Sequence, residues 1–228
     1  MSMLRRMIVP LLFGLAGAAV LIGLGVWQMQ RLSWKEAVLA DIDARIVAAP
    51  VGLPEAVDRV RDSYLPVRVK GRFTGEHVDV LVSRKQIGAG VRVVEVFETG
   101  AAGGVRRVLV DRGFVTDDLR DAPRVSGEAE VVGNLHWPDE VDGYTPPPDP
   151  KTGLWFARDA DAIAASLRTE PVFIIAAAPT GGAIEPMAVD TSTIPNDHLQ
   201  YAITWFSLAA VWLGMTVYLL WRIRQRTV

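Results

Sequence analysis

The sequence contains two long uncharged runs, MIVPLLFGLAGAAVLIGLGVW at Met7–Trp27 and YAITWFSLAAVWLGMTVYLLW at Tyr201–Trp221. Each run has 21 residues and would be about 31 Å long as an α-helix, which matches the hydrocarbon thickness of a bilayer. We therefore predict transmembrane helices at 7–27 and 201–221. The first run exceeds the usual apolar core of a signal peptide and shows no clear cleavage site before Arg31, so we expect it to remain as an anchor.

The distribution of charge predicts the orientation of these spans. The ends of the chain carry five arginines and no acidic residue, whereas the 19 Lys and Arg and the 26 Asp and Glu between them give a net charge of −7. Short basic segments stay in the cytoplasm, so we expect both termini inside and residues 28–200 in the periplasm. No Arg- and Ser-rich transit peptide precedes the first span, which favours the bacterial inner membrane over an organelle. The five arginines are Arg5, Arg6, Arg222, Arg224 and Arg226.

The composition excludes several classes of protein. With no cysteine among 228 residues, the chain has no disulfide, thiolate zinc site or iron–sulfur cluster. Its net charge of −2 argues against a nucleic-acid partner, which would require a basic surface. The mean hydropathy of +0.23 instead fits a chain that contacts membrane lipids.

The segment between the spans has the alternation of half-buried strands. The close spacing of the strands favours an antiparallel sheet or small barrel over βαβ units. Helices are expected at Ser33–Val47, as a continuation of the first span, and at Arg158–Leu167, while the four prolines of Asp142–Lys151 predict an extended loop. We thus predict an α+β membrane protein, with two transmembrane helices flanking a periplasmic antiparallel β domain with short helices. The predicted strands are Leu65–Phe73, His77–Ser83, Val91–Glu98, Val105–Val115, Glu128–Leu135 and Pro171–Ala178.

No catalytic signature is present in the sequence, and the chain is predicted not to be an enzyme. His77 and His136 fall in predicted strands without a second metal ligand at a suitable spacing, so they are interpreted as ordinary strand residues. His198 differs, because PNDH leads directly into the second span and Asn196 or Asp197 is a suitable helix cap. A neutral imidazole there is a possible iron ligand. The alternative is an interfacial histidine beside a belt of aromatic residues.

A helix starting near His198 would place small and aromatic residues on one face, with Tyr201 beside it. These residues are His198, Ala202, Trp205, Ala209 and Trp212. At the end of the first span, Trp27, Arg31 and Trp34 fall on one helical stripe next to Gln28. Small residues at Gly14, Gly17, Ala18, Gly23 and Gly25 would let the second helix approach closely, although an ordinary lipid-facing anchor explains them too.

The two boundary motifs resemble those of the Surfeit locus protein family, the assembly factors of cytochrome c oxidase. The motifs are Gly25-x-Trp27-Gln28-x-x-Arg31-Leu32-x-Trp34-Lys35 and Asn196-x-His198-Leu199-x-Tyr201-Ala202-x-Thr204-Trp205. Three further blocks follow in the expected order between them, so the resemblance covers nearly the whole chain. Asp197 and Phe114 depart mildly from the family pattern. The blocks are Val69-x-Gly71-x-Phe73, Val110-x-Arg112-Gly113-Phe114-Val115 and Trp155-Phe156-x-x-Asp159.

The resemblance implies a role in supplying haem a to the catalytic subunit of the oxidase, with His198 as the iron ligand. Trp27, Gln28, Arg31, Tyr201 and Trp205 are then expected to wall the haem a pocket, with Arg31 paired to a propionate. The alternative for these residues is an ordinary aromatic belt with a snorkelling arginine at the membrane boundary. The second axial position would be empty or filled by another chain, and the residues leave open whether the haem a synthase is also a partner. The alternatives are a haem-free scaffold for oxidase subunits and, with little support, a tethered periplasmic enzyme.

Overall fold

The computed structural model describes residues 3–85, 87–101, 104–124, 126–192 and 194–225, so Arg226 lies outside the described residues. The described residues form two compact units, one from the two ends of the chain, up to residue 41 and from residue 191, and the other from residues 42–190. Two helices, α1 (Met3–Ile46) and α3 (His198–Gln225), are long and apolar enough to cross a membrane. Helix α1 continues without a break past Trp27, as predicted, because good helix formers fill Ser33–Ile46.

The two terminal helices pack against each other in an antiparallel arrangement. A methyl group added at Gly14 would lie 2.2 Å from Thr216, and one at Gly25 would lie 2.6 Å from Phe206. The contact on α3 therefore moves from residue 216 back to residue 206 as α1 runs forward from residue 14 to residue 25. On α1 the buried residues recur at intervals of four, seven and three, which place them on one helix face: Gly14, Ala18, Gly25 and Gln28.

Glycine permits this close packing at some of the predicted positions. A side chain at Gly17 would clash with the indole of Trp212, whose Nε1–H donates to the carbonyl oxygen of Gly14 over 2.9 Å. Small residues at a helix interface allow such backbone approach in membranes. The prediction is wrong for Gly23, beside which no atom lies within 4 Å. Gly23 faces away from α3 because its position on α1 falls off the buried face.

The second unit is a mixed sheet built around a closed circuit of strands. Strand β1 (Pro66–Arg84) pairs with β4 (Gly127–Leu135) through its first half and with β2 (Gly88–Ala101) through its second. Strand β3 (Gly104–Thr116) pairs with β2, and β6 (Phe173–Ala176) lies between β3 and β4 and completes the circuit. Closure removes free edges among these strands. Short β5 (Leu154–Trp155) adds to β1.

The predicted strands are largely confirmed, with two differences. Leu65–Phe73 and His77–Ser83 form one long strand, β1, with an irregularity between Phe73 and His77 that includes Gly75 at φ +88°. The sheet is mostly antiparallel, but β6 pairs in parallel with β3, and β5 pairs in parallel with β1. The segment Asp142–Lys151 contains no helix or strand, as its prolines predict.

Both faces of the sheet carry apolar clusters, one inside the circuit of strands and one on part of its outer face. Alternate residues Val108 and Val110 of β3 pack in one apolar cluster with β1, β2, β4 and β6, while Leu109 packs in another. The second cluster is covered by helix α2 (Ala160–Leu167), which contributes Ile163. Asp159 begins this helix by accepting hydrogen bonds from the backbone N–H groups of residues 161 and 162.

Candidate functional site

His198 is the first residue of α3 and makes one well-defined contact with α1. Its Nδ1 lies 2.7 Å from Oε1 of Gln28. Gln28 is only 9% exposed because it lies on the α1 face that packs against α3. The helix starts at His198, with the backbone N–H of Tyr201 donating to the carbonyl oxygen of Asp197 over 3.1 Å. Helix packing therefore fixes one edge of the imidazole and leaves the other ring nitrogen for a different partner.

Trp27 and Arg31 lie on an exposed flank of α1, next to the face that carries Gln28. The Arg31 guanidinium carbon lies 5.7 Å from the ring centroid of Trp27 and 5.4 Å from that of Trp34. Such stacking holds the guanidinium over aromatic faces. In the part of the chain that the structure describes, Arg31 has no ion pair with a carboxylate, so its charge is available to an anionic group.

The remaining predicted site residues follow His198 along α3. Tyr201 is 56% exposed and Trp205 is half-buried, while Ala202 between them is fully buried. The predicted shared face is confirmed at Ala202, Ala209 and Trp212, which all contribute to the packing of the helix pair. The structure thus brings His198 and Gln28 into direct contact and leaves Trp27, Arg31 and Tyr201 accessible.

The histidines of the β domain have different surroundings. His77 is exposed, and its Nδ1 lies 2.8 Å from the carbonyl oxygen of Gly75. His136 stacks on Tyr64, and burial, with a smaller effect from Arg158, lowers the pKa of His136. Within the described ranges, no group of three or more His, Asp or Glu side chains is arranged to hold a metal ion.

The β domain contains a set of buried ion pairs that the sequence did not predict. Arg112 and Glu95 are both fully buried and 2.5 Å apart, and Arg112 also lies over the ring of Phe73. Asp111 accepts hydrogen bonds from Arg92 over 2.8 Å and from Arg158 over 3.1 Å. The sequence does show charged residues inside otherwise apolar strands. Strict alternation of apolar and polar residues, however, predicts that such charged side chains face solvent.

These buried charged side chains connect strands to each other and to loops of the β domain. Burial lowers the pKa of Arg92, whereas at Arg158 the hydrogen bonds and charges of Glu140 and Asp111 outweigh burial and raise the pKa. Arg92 also donates to the carbonyl oxygen of Met187, and Arg112 to that of Thr180. Since each carboxylate is matched by guanidinium groups, we interpret this cluster as structural.

Together these features define a class: a protein with a closed β domain and two apolar terminal helices, which carry a buried glutamine and a histidine in contact. The chain belongs to the SURF1 family, whose sequence profile matches residues 15–210. It is 32% identical over 217 residues to Surfeit locus protein 1 of Rattus norvegicus, covering 84% of this chain and 69% of the rat protein.

Two further relatives match this chain with similar sequence identity and coverage. The SURF1-like protein of Drosophila melanogaster is 30% identical, with 84% of this chain and 71% of the relative covered. The SURF1-like protein of Monosiga brevicollis is 31% identical, with 88% and 83% covered. The family resemblance seen in the sequence motifs is therefore confirmed.

Proposed function

We propose that this protein is an assembly factor for cytochrome c oxidase that binds haem a through His198 and delivers it to the catalytic subunit. The observation that supports this proposal best is the 2.7 Å contact between His198 Nδ1 and the buried Gln28 side chain. Haem a would be a transient cargo, so the protein itself carries out no catalysis.

The contact with Gln28 suits a histidine that ligates iron. An amide oxygen accepts a hydrogen bond, so Gln28 holds the imidazole proton on Nδ1 and leaves the Nε2 lone pair available. Metal-ligating histidines usually donate their other N–H group to an acceptor in this way, which fixes the ring and raises its basicity. The residues present therefore fit a haem ligand.

The exposed flank supplies complementary groups for a haem. Arg31, stacked between Trp27 and Trp34, offers a planar guanidinium for a propionate carboxylate. Trp27 and Tyr201 offer aromatic surface for the porphyrin, and Trp205 continues that surface along α3. This assignment gives each predicted site residue a role in holding the cargo.

The proposed setting is the bacterial cell membrane, with the β domain in the periplasm and both termini in the cytoplasm. Basic ends and a loop of net charge −7 support this orientation. The oxidase catalytic subunit is the proposed recipient of the haem. The haem a synthase is the proposed donor, because a cargo with an apolar tail is best transferred within the membrane.

The test is the absorbance of the purified protein after coexpression with a haem a biosynthetic pathway. We expect a haem a spectrum for the unmodified protein and its loss or shift in His198→Ala. The matched control is His77→Ala, which removes an exposed histidine of the β domain and should leave the spectrum unchanged. A colourless unmodified protein that still supports oxidase assembly would establish a haem-free scaffold instead.

A further inference from the structure

An apolar groove of about 610 Å³ lies between α1 and α3. Its walls include Phe13, Gly17 and Val20 of α1 and Leu208, Trp212 and Met215 of α3. The Trp212 N–H group is already hydrogen-bonded to the carbonyl oxygen of Gly14. The groove therefore presents aliphatic and aromatic surface, which suits an apolar ligand.

The groove lies on the same side of the helix pair as the proposed haem site. On α1 its residues continue at helical spacings of three and four to Trp27 and Arg31. On α3, Tyr201, Leu208 and Met215 are seven residues apart and so fall on one stripe. The α1 stripe consists of Phe13, Gly17, Val20, Leu24, Trp27, Arg31 and Trp34.

The distances along the helices match a ligand with a polar head and a long apolar chain. Val20 is eight residues from Gln28 and Leu208 is ten residues from His198, which correspond to about 12 and 15 Å of helix. Met215 is about 25 Å from His198 by the same measure. A flat head bound at His198 would reach this groove only through a long chain, which a farnesyl group provides.

We propose that this groove binds the isoprenoid tail of the haem, so that the protein selects prenylated haems over haem b. This inference rests on the proposed function, since the head is placed at His198. Lipid chains are as apolar as the groove, so the preference arises from packing against a preformed wall and from attachment to the bound head.

The experiment compares haem o with haem b, which differ only in the tail, by absorbance titration of the full-length protein in detergent. We expect the dissociation constant for haem o to be about tenfold lower, equivalent to about 1.4 kcal/mol. Val20→Trp, which fills the groove, should raise the constant for haem o to that for haem b and leave haem b binding unchanged. Leu208→Trp should do the same from the α3 wall.

The matched control is Ile22→Trp, because Ile22 is an exposed aliphatic residue of α1 on the opposite flank. It should leave both dissociation constants unchanged. Equal binding of the two haems by the unmodified protein, or an unchanged preference in both Val20→Trp and Leu208→Trp, would overturn the groove as the tail site. If the unmodified protein binds neither haem o nor haem b, the proposed function is overturned, and this inference with it.

Discussion

Gln28 and His198 are 170 residues apart in the chain, yet their side chains meet at 2.7 Å. The contact is directional: it determines which nitrogen of the imidazole is occupied and how the ring is oriented. Substitution of a residue that only orients an iron ligand is expected to lower the affinity for the haem without abolishing binding. Gln28 is thus a positioning residue for His198 under the proposed function.

We predict that the substitution Gln28→Leu weakens haem a binding. Loss of the acceptor frees the imidazole to rotate and change tautomer, so haem a affinity should fall by about 10- to 100-fold. Gln28→Glu keeps an acceptor and should retain binding. Absorbance titration measures both, with Gln30→Leu as the control at an exposed position of the same helix. Unchanged affinity and an unchanged spectrum in Gln28→Leu would contradict the positioning role.

The helix pair depends on close backbone approach at glycine as well as on hydrogen bonds between the two helices. Gly14, Gly17 and Gly25 each face a side chain of α3 at a distance that leaves no room for a Cβ atom. Close approach increases dispersion contacts, which are the main source of helix association in a membrane.

For the helix pair we predict that Gly14→Leu destabilises the protein by about 1–3 kcal/mol, because the new side chain overlaps Thr216. Gly23→Leu introduces the same side chain where no atom lies within 4 Å and should change stability little. Thermal unfolding of the purified protein in detergent compares the two variants. Equal destabilisation by both would mean that helix packing does not depend on Gly14.

Strands β2 and β3 are joined by the fully buried pair of Glu95 and Arg112 as well as by their ladder. We predict that Arg112→Met costs about 3–5 kcal/mol, because it leaves the Glu95 carboxylate buried without its cation. The double variant Arg112→Met, Glu95→Gln should recover part of that loss. Denaturant unfolding measures the difference, and strictly additive losses would show that the two side chains are not coupled.

At the scale of the whole molecule, the two basic ends and the acidic middle predict how the chain crosses the membrane. The prediction is independent of haem, since it uses only charge and the two apolar helices. It also decides which compartment the β domain faces.

We expect a reporter that is active only outside the cytoplasm to be active when fused near Pro147 and inactive when fused before Met1 or after Val228. Pro147 is a suitable site because it lies in an irregular loop of the β domain. Activity at either terminus, or its absence at Pro147, would contradict the predicted orientation.

Apolar run length and strand alternation are local properties, so the sequence alone was sufficient to predict both terminal helices and most strands, while the resemblance of the boundary motifs was sufficient to identify the family. The motif around His198 and the stripe of Trp27, Arg31 and Trp34 were also recognisable from helical spacing. The sequence predicted that Gly17 and Gly25 would allow close packing but could not distinguish them from Gly23, because that depends on which face of α1 meets α3.

Only the tertiary structure revealed the partner of His198 and the burial of Arg112. Gln28 was recognisable as a neighbour of the span, but its hydrogen bond requires two antiparallel helices in register. In β3 the pairing shifts from Asp111 to Gly113, so that Arg112 is an extra residue in the ladder. This bulge lets two consecutive charged side chains, Asp111 and Arg112, both point into protein. Strand alternation cannot predict such an arrangement, because the register between strands is a property of the folded sheet.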